Sequence, residues 1–158
     1  MEQIAISSCN SYDFKEVKRV VDRQFDLLQF DSLVKSGAQV VIKPNLIMKS
    51  VPENAAITHP IVTAAVGCHL QELGAHVVIA ESPGGPYTPA LLKMVYRGCG
   101  YEEIAKQYGL ELNLDCGFSE LEAPEGKRSH LFHVINPILN ADLIVDIAKL
   151  KTHCMTTL

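Results

Sequence analysis

The chain has 158 residues, of which 47% are hydrophobic, 20% charged and 6% aromatic, with no Trp. This composition excludes a disordered chain, and the length is typical of one domain that buries a sizeable core. Fourteen basic and eighteen acidic residues give a formal net charge of −4, which argues against nucleic acid as a partner because a nucleic-acid-binding face is usually basic.

The amino-terminal part of the sequence predicts a strand and then a helix. Residues 4–9 have the length and composition of a short strand. A helix is predicted to begin at Asp13, which forms a capping-box pattern with Glu16. Apolar residues recur every three or four positions after it, and the helix is expected to end near Ser36 and Gly37, because glycine adopts a left-handed backbone at low cost.

Buried strands and helices alternate through the middle of the sequence. Residues 40–42 and 76–80 are apolar runs of strand length, and residues 60–74 between them have helical periodicity. Strand pairing should stop at Pro44, since proline has no N–H group to donate. This order of elements predicts parallel strands joined by right-handed crossovers.

The second half of the sequence is less regular. The predicted elements are two helices, a half-exposed strand, a surface turn and two further strands, at residues 89–96, 101–108, 110–114, 123–127, 131–135 and 143–147. We expect residues 1–158 to form a single α/β domain, or the amino-terminal part of a larger one, with a mainly parallel sheet and helices on both faces. The chain ends directly after a dense polar cluster, so we expect a truncated chain and an incomplete sheet.

The sequence contains no pattern typical of a membrane or secreted protein. No apolar run approaches the roughly 18 residues that span a bilayer, and the first residues do not resemble a signal peptide. The five cysteines are an odd, scattered set typical of free thiols. We therefore expect a cytoplasmic protein with no membrane partner. Neither a P-loop nor a Gly-x-Gly-x-x-Gly motif supports nucleotide binding.

Three polar clusters each follow a predicted buried strand. They are Lys43 and Asn45 after the first strand, Glu81, Ser82, Gly84 and Gly85 after the second, and Lys149, Lys151, Thr152 and His153 after the last. In open α/β sheets, ligands bind outside the carboxyl ends of the strands. If the three strands are parallel, the clusters meet at one edge of the sheet, and this convergence predicts a binding site.

The chemistry of these clusters suits a small anion such as a carboxylate or phosphate. The three lysines supply positive charge, Ser82 supplies a hydroxyl, and Gly84 and Gly85 supply main-chain N–H groups that a ligand can approach closely. Two simpler interpretations stay open. In the first, the lysines are merely solvated; in the second, residues 82–85 form only a turn.

Two histidines near the predicted strand ends are candidates for proton transfer. His59 follows Thr58, itself a candidate ligand-binding residue, and either joins the site or only caps the next helix. His153 belongs to the third polar cluster. An alternative is that Glu81, His153 and Cys154 hold a metal, but their spacing matches no metal-binding signature, so we assign no metal ligands.

Four segments of the sequence carry a family resemblance. They are residues 41–46 (VIKPNL), 58–60 (THP), 81–85 (ESPGG) and 148–153 (AKLKTH). In order and spacing this set resembles the domain of unknown function 362 family across essentially the whole chain. The family pattern usually has proline where Ala148 stands here.

The resemblance implies that more chain follows Leu158 and that the protein is associated with iron–sulfur chemistry. Many members of the family carry a ferredoxin-type domain, whereas this chain has no ligand set for a cluster, so its own cofactor is unknown. Our first hypothesis is an α/β domain that binds a small anionic ligand, as part of a redox or transfer enzyme. The alternative is a docking module for a ferredoxin-type domain or another partner protein. Whether the protein is an enzyme stays open.

Overall fold

The computed structural model describes residues 3–153. In chain order the helices and strands are α1 (Phe14–Leu27), β1 (Gln39–Pro44), α2 (Pro60–Glu72), β2 (His76–Ile79), α3 (Pro89–Gly98), α4 (Tyr101–Tyr108), β3 (Glu111–Leu112), β4 (Phe118–Glu122), β5 (Leu131–Ile135), α5 (Asn136–Leu139) and β6 (Leu143–Ile147), with short 3₁₀ turns at Phe30–Leu33 and Pro52–Asn54. These elements form an α/β fold, as the alternation of buried strands and helices predicts.

The main sheet has four parallel strands in the order β3-β2-β1-β6. Val41 at the centre of β1 pairs with Val78 of β2 on one side and with Ile144 of β6 on the other. The strand ends at Pro44, which lies opposite Ile147. Because all four strands run in the same direction, their carboxyl ends lie at the same edge of the sheet.

One face of this sheet carries the hydrophobic core. Alternate side chains of β1 and β2 point to it and are almost fully buried, namely Val40, Ile42, Val77 and Ile79. Buried residues of α1, α2, α3 and α4 join the same cluster. The opposite face presents Lys43, Ile144 and Asp146, and the one-turn helix α5 and strand β5 line a cavity with these three residues. Strands β4 and β5 form a separate antiparallel hairpin.

The beginning of α1 follows the predicted capping pattern with one difference. The Asp13 carboxylate accepts a hydrogen bond from the main-chain N–H of Glu16 at 3.1 Å, as a helix N-cap does. The Glu16 carboxylate does not return to Asp13. It accepts from the main chain of Asn10 and the hydroxyl of Ser11. The segment before the helix is therefore tied to its first turn.

The predicted strand at residues 4–9 is wrong, because the structure contains no strand there. Ile4 and Ile6 are 87% and 91% exposed, so neither buries its side chain. A strand needs a neighbouring strand to pair its main-chain groups and a core to cover one face. The described part of the chain supplies neither to this segment.

Two further predictions need correction at the level of boundaries. Helix α1 ends at Leu27, well before Ser36, because Gln29 adopts a left-handed backbone with φ of 52° and a 3₁₀ turn follows. The strand predicted at 110–114 is reduced to Glu111–Leu112, since the side chain of Asn113 bonds to the main chain of Asp115 and turns it away. The sequence analysis also missed β4 and α5.

Residues 3–153 contain neither a membrane-spanning helix nor a disulfide bond. No helix in this range is long and apolar enough to cross a membrane. The cysteines in the range, Cys9, Cys68, Cys99 and Cys116, are free thiols, with Cys99 buried and Cys9 exposed. Cys154 lies outside the described residues.

Candidate functional site

The first two polar clusters meet at Glu81. Its carboxylate oxygen Oε2 lies 3.7 Å from Nζ of Lys43 and accepts a 3.1 Å hydrogen bond from the main-chain N–H of Leu46. The other oxygen, Oε1, accepts from the N–H of Ser82 at 2.8 Å. Glu81 is only 7% exposed. This one carboxylate therefore joins the segment after β2 to the end of β1 and the loop that follows it.

The segment after β1 and the end of β6 meet at Thr58, which is 3% exposed. Its hydroxyl accepts from the main-chain N–H of Asn45 at 3.0 Å and donates to the carbonyl oxygen of Ile147 at 2.6 Å. The hydroxyl of the buried Tyr101 donates to the carbonyl of Thr58 at 3.0 Å. Thr58 thus holds the ends of β1 and β6 together at the start of α2, and its hydroxyl is occupied within the chain.

His59 is the N-cap of α2, as one of the two sequence interpretations has it. Its ring nitrogen Nδ1 accepts a 3.2 Å hydrogen bond from the main-chain N–H of Ile61. The ring stacks on that of Tyr12, with the centroids 3.6 Å apart and the planes 5° apart. Because Nδ1 accepts from the main chain, the neutral ring carries its proton on Nε2. His59 then offers an N–H donor at Nε2.

The electrostatic surroundings of His59 favour this neutral form. Partial burial is the main cause that lowers the pKa of His59 below its ordinary value, and the positive charge of Lys149 lowers it further, while Glu53 acts in the opposite direction. His59 also lies at the positive end of the α2 dipole, which disfavours the charged form of its ring. Lys149, of the third polar cluster, is thus close enough for its charge to act on His59.

The loop after β2 uses two of its main-chain N–H groups within the chain. The N–H of Ser82 donates to Glu81, and that of Gly84 donates to the carbonyl oxygen of Ile47 at 3.0 Å. Gly85 is exposed and has a φ of 108°, a conformation that favours glycine. Ligand binding through the amides of Ser82 and Gly84 would therefore have to displace contacts that position the loop.

The remaining residues of the third cluster follow β6 towards the limit of the described chain. Lys151 is partly buried, whereas Thr152 and His153 are exposed. The alternative metal site at Glu81, His153 and Cys154 includes a residue outside the described range, so the geometry of that set is not defined. The assignment of these residues to a ligand stays a prediction.

Strand alternation divides the predicted residues between two sides of the sheet edge. Lys43 lies directly opposite Asp146 in the register of β1 and β6, on the face away from the core. Thr58 and His59 lie at the start of α2, on the helix-covered side, where the hydroxyl of Thr58 accepts a hydrogen bond from the main chain of Asn45. The three clusters follow strand ends at one edge of the sheet, and Lys43, Glu81 and Ser82 of the first two clusters line a common cavity there.

A cavity of about 360 Å³ lies on the Lys43 side, and we call it the strand-end cavity. Apolar side chains of β5, α5 and β6 form much of its wall, and polar side chains occupy the strand ends; its lining residues are Val134, Ile135, Ile138, Ile144, Lys43, Glu81, Ser82, His133 and Asp146. Small-molecule sites typically combine apolar walls with a few convergent polar groups. The arrangement therefore has the composition of a ligand pocket.

Sequence reasoning missed the two polar residues Asp146 and His133 of the strand-end cavity, as well as its apolar wall. Asp146 is a single charged residue inside the apolar strand 143–147, and that irregularity was a usable signal. His133 comes from β5, and its Nε2 lies 3.3 Å from a carboxylate oxygen of Glu120 across the hairpin. No local pattern indicates that β5 of this hairpin lines a cavity with the open face of the parallel sheet.

A second cluster of ionisable side chains lies between α1 and α2. Asp22, His69 and Glu72 form the one group with metal-ligand spacing that residues 3–153 contain. Lys18 Nζ lies 2.6 Å from Asp22 and 2.8 Å from Glu72, so an ammonium already provides the positive charge there. Burial raises the pKa of Asp22, but hydrogen bonds from Lys18 and His69 outweigh it and hold that pKa below its ordinary value. We interpret the cluster as an interhelical ion-pair network.

The cysteines of the described chain do not fit an iron–sulfur cluster. Such clusters are held by several cysteine thiolates that converge on one point. Among residues 3–153, the metal-ligand spacing described above involves no cysteine. The iron–sulfur association therefore has no support from the side chains of this part of the protein.

Comparison with known proteins supports the family resemblance. The model of the family described as Domain of unknown function (DUF362) matches residues 40–158. The chain is also similar to the thylakoid-associated protein of Synechocystis sp., with 26% identity over 127 residues, which are 80% of this chain but 38% of that protein. The chain thus spans about two fifths of this curated relative, and no solved structure matches it. Since the family match covers most of the chain, the protein belongs to the DUF362 family.

Proposed function

We propose that the chain binds a small anionic ligand, a carboxylate or phosphate, in the strand-end cavity. The observation that carries this proposal is the position of Lys43. Its side chain is 38% exposed at the cavity wall, and its Nζ lies 3.7 Å from Glu81. A direct ammonium–carboxylate hydrogen bond is usually about 2.7–2.9 Å long. The longer distance leaves the Lys43 ammonium with N–H donors for a ligand.

Glu81 supports this role without cancelling it. Its two oxygens accept main-chain hydrogen bonds from Leu46 and Ser82, which stabilise its negative charge independently of Lys43. Glu81 thereby restrains Lys43 at the rim and remains satisfied when the ammonium turns towards a ligand. This makes Glu81 a positioning residue in our proposal.

The walls of the strand-end cavity favour a ligand with an apolar body. Ile135, Ile138 and Ile144 offer hydrocarbon surface, and about 360 Å³ falls within the roughly 300–1,000 Å³ that small-molecule pockets occupy. Asp146 adds a hydrogen-bond acceptor beside Lys43. A compact acid that also carries a hydroxyl or amino group would satisfy both residues.

In this proposal His59 contributes only to a ligand that extends from the strand-end cavity to the helix-covered side of the edge, because His59 does not line that cavity. With its proton on Nε2 and a lowered pKa, the neutral ring donates a hydrogen bond and does not accept a proton there. It would therefore polarise an anionic or carbonyl oxygen, next to the charge of Lys149. His153 and Lys151 remain candidates for the same edge on their sequence position alone.

The proposal is tested by thermal-shift measurements with a panel of small hydroxy acids, amino acids and phosphate esters. At least one compound should raise the melting temperature of the protein, and Lys43→Gln should abolish that increase. Lys127→Gln removes the same charge from the exposed β4–β5 turn and should leave the increase intact. An increase that survives in Lys43→Gln, or a panel without any increase, contradicts the proposal.

A second candidate function is docking of a ferredoxin-type domain, as the resemblance implies. The β4–β5 hairpin favours it, because the cross-strand pair of Leu121 and Phe132 is 49% and 46% exposed, and Phe118 and Leu131 are similarly exposed. In this second proposal the hairpin binds the ferredoxin-type domain of a longer family member. Phe132→Ser should then weaken binding of a purified ferredoxin-type domain, while Lys43→Gln should not. Equal binding by Phe132→Ser and the unmodified chain would exclude it.

A further inference from the structure

Three cationic side chains line one groove beside α3, although the chain as a whole is acidic. The groove has a volume of about 460 Å³ and contains Lys49, Lys93 and Arg97. Lys93 and Arg97 are four residues apart on α3 and therefore lie on the same side of the helix. Lys49 comes from the loop after β1. Only the fold brings it to the other two, so the concentration of charge is not a feature of local sequence.

Gly98, the last residue of α3, shapes this groove. A Cβ atom at this position would overlap Cγ of Lys49 and crowd its Cδ and Cε. The absence of a side chain at Gly98 therefore allows the methylene stem of Lys49 to lie across the end of the helix. The stem packs against the main chain while its ammonium lines the groove, a common way for lysine to combine burial with charge.

Two hydrogen bonds hold the residues directly before Lys49. The carbonyl oxygen of Met48 accepts a hydrogen bond from the Cys99 thiol at 3.5 Å, and that of Ile47 accepts from Gly84 at 3.0 Å. Because the loop is anchored, Lys49 needs little reorganisation to bind a ligand. Such preorganisation improves affinity by reducing the entropy lost on binding.

The charge balance of the groove matches a dianion. Glu102 lies near its rim, with Oε2 3.0 Å from Nε of Arg97, and offsets one of the three positive charges. The guanidinium has five N–H donors, and the contact with Glu102 engages the one on Nε. The remaining donors of Arg97 and the two ammonium groups suit the oxygens of a phosphate group, which arginine binds in a forked geometry.

We propose that this groove, which we call the α3 groove, is a binding site for a phosphate-bearing small molecule. Met94 and Ala90 line it beside the cations and offer apolar surface to the rest of such a ligand. The α3 groove shares no lining residue with the strand-end cavity. It is therefore a second site, and it does not depend on the function proposed for the first.

Titration of the ¹⁵N-labelled 158-residue chain with inorganic pyrophosphate tests the proposal by nuclear magnetic resonance. Chemical shifts of the amides at Lys49, Lys93 and residues 97–98 should move together with one saturable dissociation constant. Lys93→Gln or Lys49→Gln should each weaken binding by about 1.4-fold to fivefold, the range expected for loss of one exposed ion pair. Lys127→Gln is the charge-matched control and should bind as the unmodified chain does.

Two further variants separate a shaped site from general charge attraction. Gly98→Ala keeps every charge and suits a helix, but it displaces the stem of Lys49 and should weaken pyrophosphate binding. Glu102→Gln removes the opposing carboxylate and should strengthen binding. Glu103→Gln, an exposed neighbour outside the groove, makes the same charge change and should have a smaller effect.

Several outcomes would overturn the proposal. They include shifts that never saturate, equal weakening by Lys127→Gln and Lys93→Gln, and Gly98→Ala binding as tightly as the unmodified chain. Saturable shifts confined to Lys43, Ser82 and their neighbours would also overturn it, and would instead support the strand-end cavity.

Discussion

The Thr58 hydroxyl donates a 2.6 Å hydrogen bond to the carbonyl oxygen of Ile147, the last residue of β6, 89 positions later in the chain. The same hydroxyl accepts from Asn45, just past β1. One side chain at the start of α2 therefore fixes two strand ends relative to each other. This contact helps explain why polar clusters from distant parts of the sequence share one edge of the sheet.

Replacing Thr58 with Val should destabilise the protein. Valine has nearly the same shape but no hydroxyl, so the N–H of Asn45 and the carbonyl of Ile147 each lose a buried partner, which we expect to cost about 1–3 kcal/mol. Urea denaturation measures the free energy of unfolding. Thr58→Ser is the control: it keeps the hydroxyl and should cost at most about 1 kcal/mol, the value of one buried methyl group. Equal losses in the two variants would contradict this role of the hydroxyl.

Glu81→Gln should also lower the free energy of unfolding, by about 1–3 kcal/mol. Glutamine has one oxygen acceptor, whereas the Glu81 carboxylate accepts main-chain hydrogen bonds on both oxygens, from Leu46 and Ser82. The amide NH₂ of glutamine would face one of these N–H donors. Glu103→Gln, at an exposed position of α4, is the matched control and should change stability little. The two variants should differ clearly in their urea midpoints, and identical midpoints would refute the bridging role of Glu81.

The lowered pKa of His59 predicts a specific pH dependence of stability. The unfolded chain protonates His59 near the ordinary value of 6.5, whereas the folded chain protonates it only at lower pH, because burial disfavours the charged ring. The contribution of neutral His59 is therefore complete above pH 6.5 and is lost as pH falls through that value towards the folded pKa. His59→Asn keeps an N-cap acceptor but does not titrate.

Urea unfolding at pH 7.5 and 5.5 checks this prediction. The unmodified chain should lose more stability than His59→Asn over that interval, since the other titrating groups are common to both proteins. A difference of opposite sign would mean that the folded chain stabilises the charged ring.

The charge of Lys149 should be measurable at His59. Lys149→Gln removes a positive charge that lowers the pKa of His59, so that pKa should rise, and Glu53→Gln should lower it. Nuclear magnetic resonance of the His59 imidazole during a pH titration gives the midpoint directly. Lys127→Gln serves as the distant control. An unchanged midpoint in Lys149→Gln would place the third polar cluster away from the start of α2.

The elements with the strongest local signals were predicted well. The apolar runs at 40–42 and 143–147 became β1 and β6, and residues 101–108 became α4 with the predicted boundaries. Buried parallel strands read as continuous apolar runs, so their sequences carry the information locally. The strand predicted at residues 4–9 did not form, because this segment has a strand-like composition but no neighbouring strand to pair with. Propensity alone cannot supply a pairing partner.

In the candidate site, too, some features could be predicted from local sequence and others depend on tertiary contacts. The sequence places Lys43, Glu81 and Lys149 after buried strands, and parallel pairing then requires those strand ends to share an edge. Which side of the edge each residue occupies follows from strand register, and which amides stay available follows from contacts such as Gly84 with Ile47. Ligand identity, iron–sulfur association and compartment remain predictions.

The sequence by itself determined the order of strands and helices and the polar residues at the strand ends, because hydrophobic periodicity and capping act between near neighbours. Only the tertiary structure decided that His133 reaches the cavity beside Lys43, that Thr58 joins β1 to β6, and that Lys49 lies across Gly98. These contacts join residues far apart in the chain, and their geometry depends on how the packed elements fit together, which no local pattern encodes.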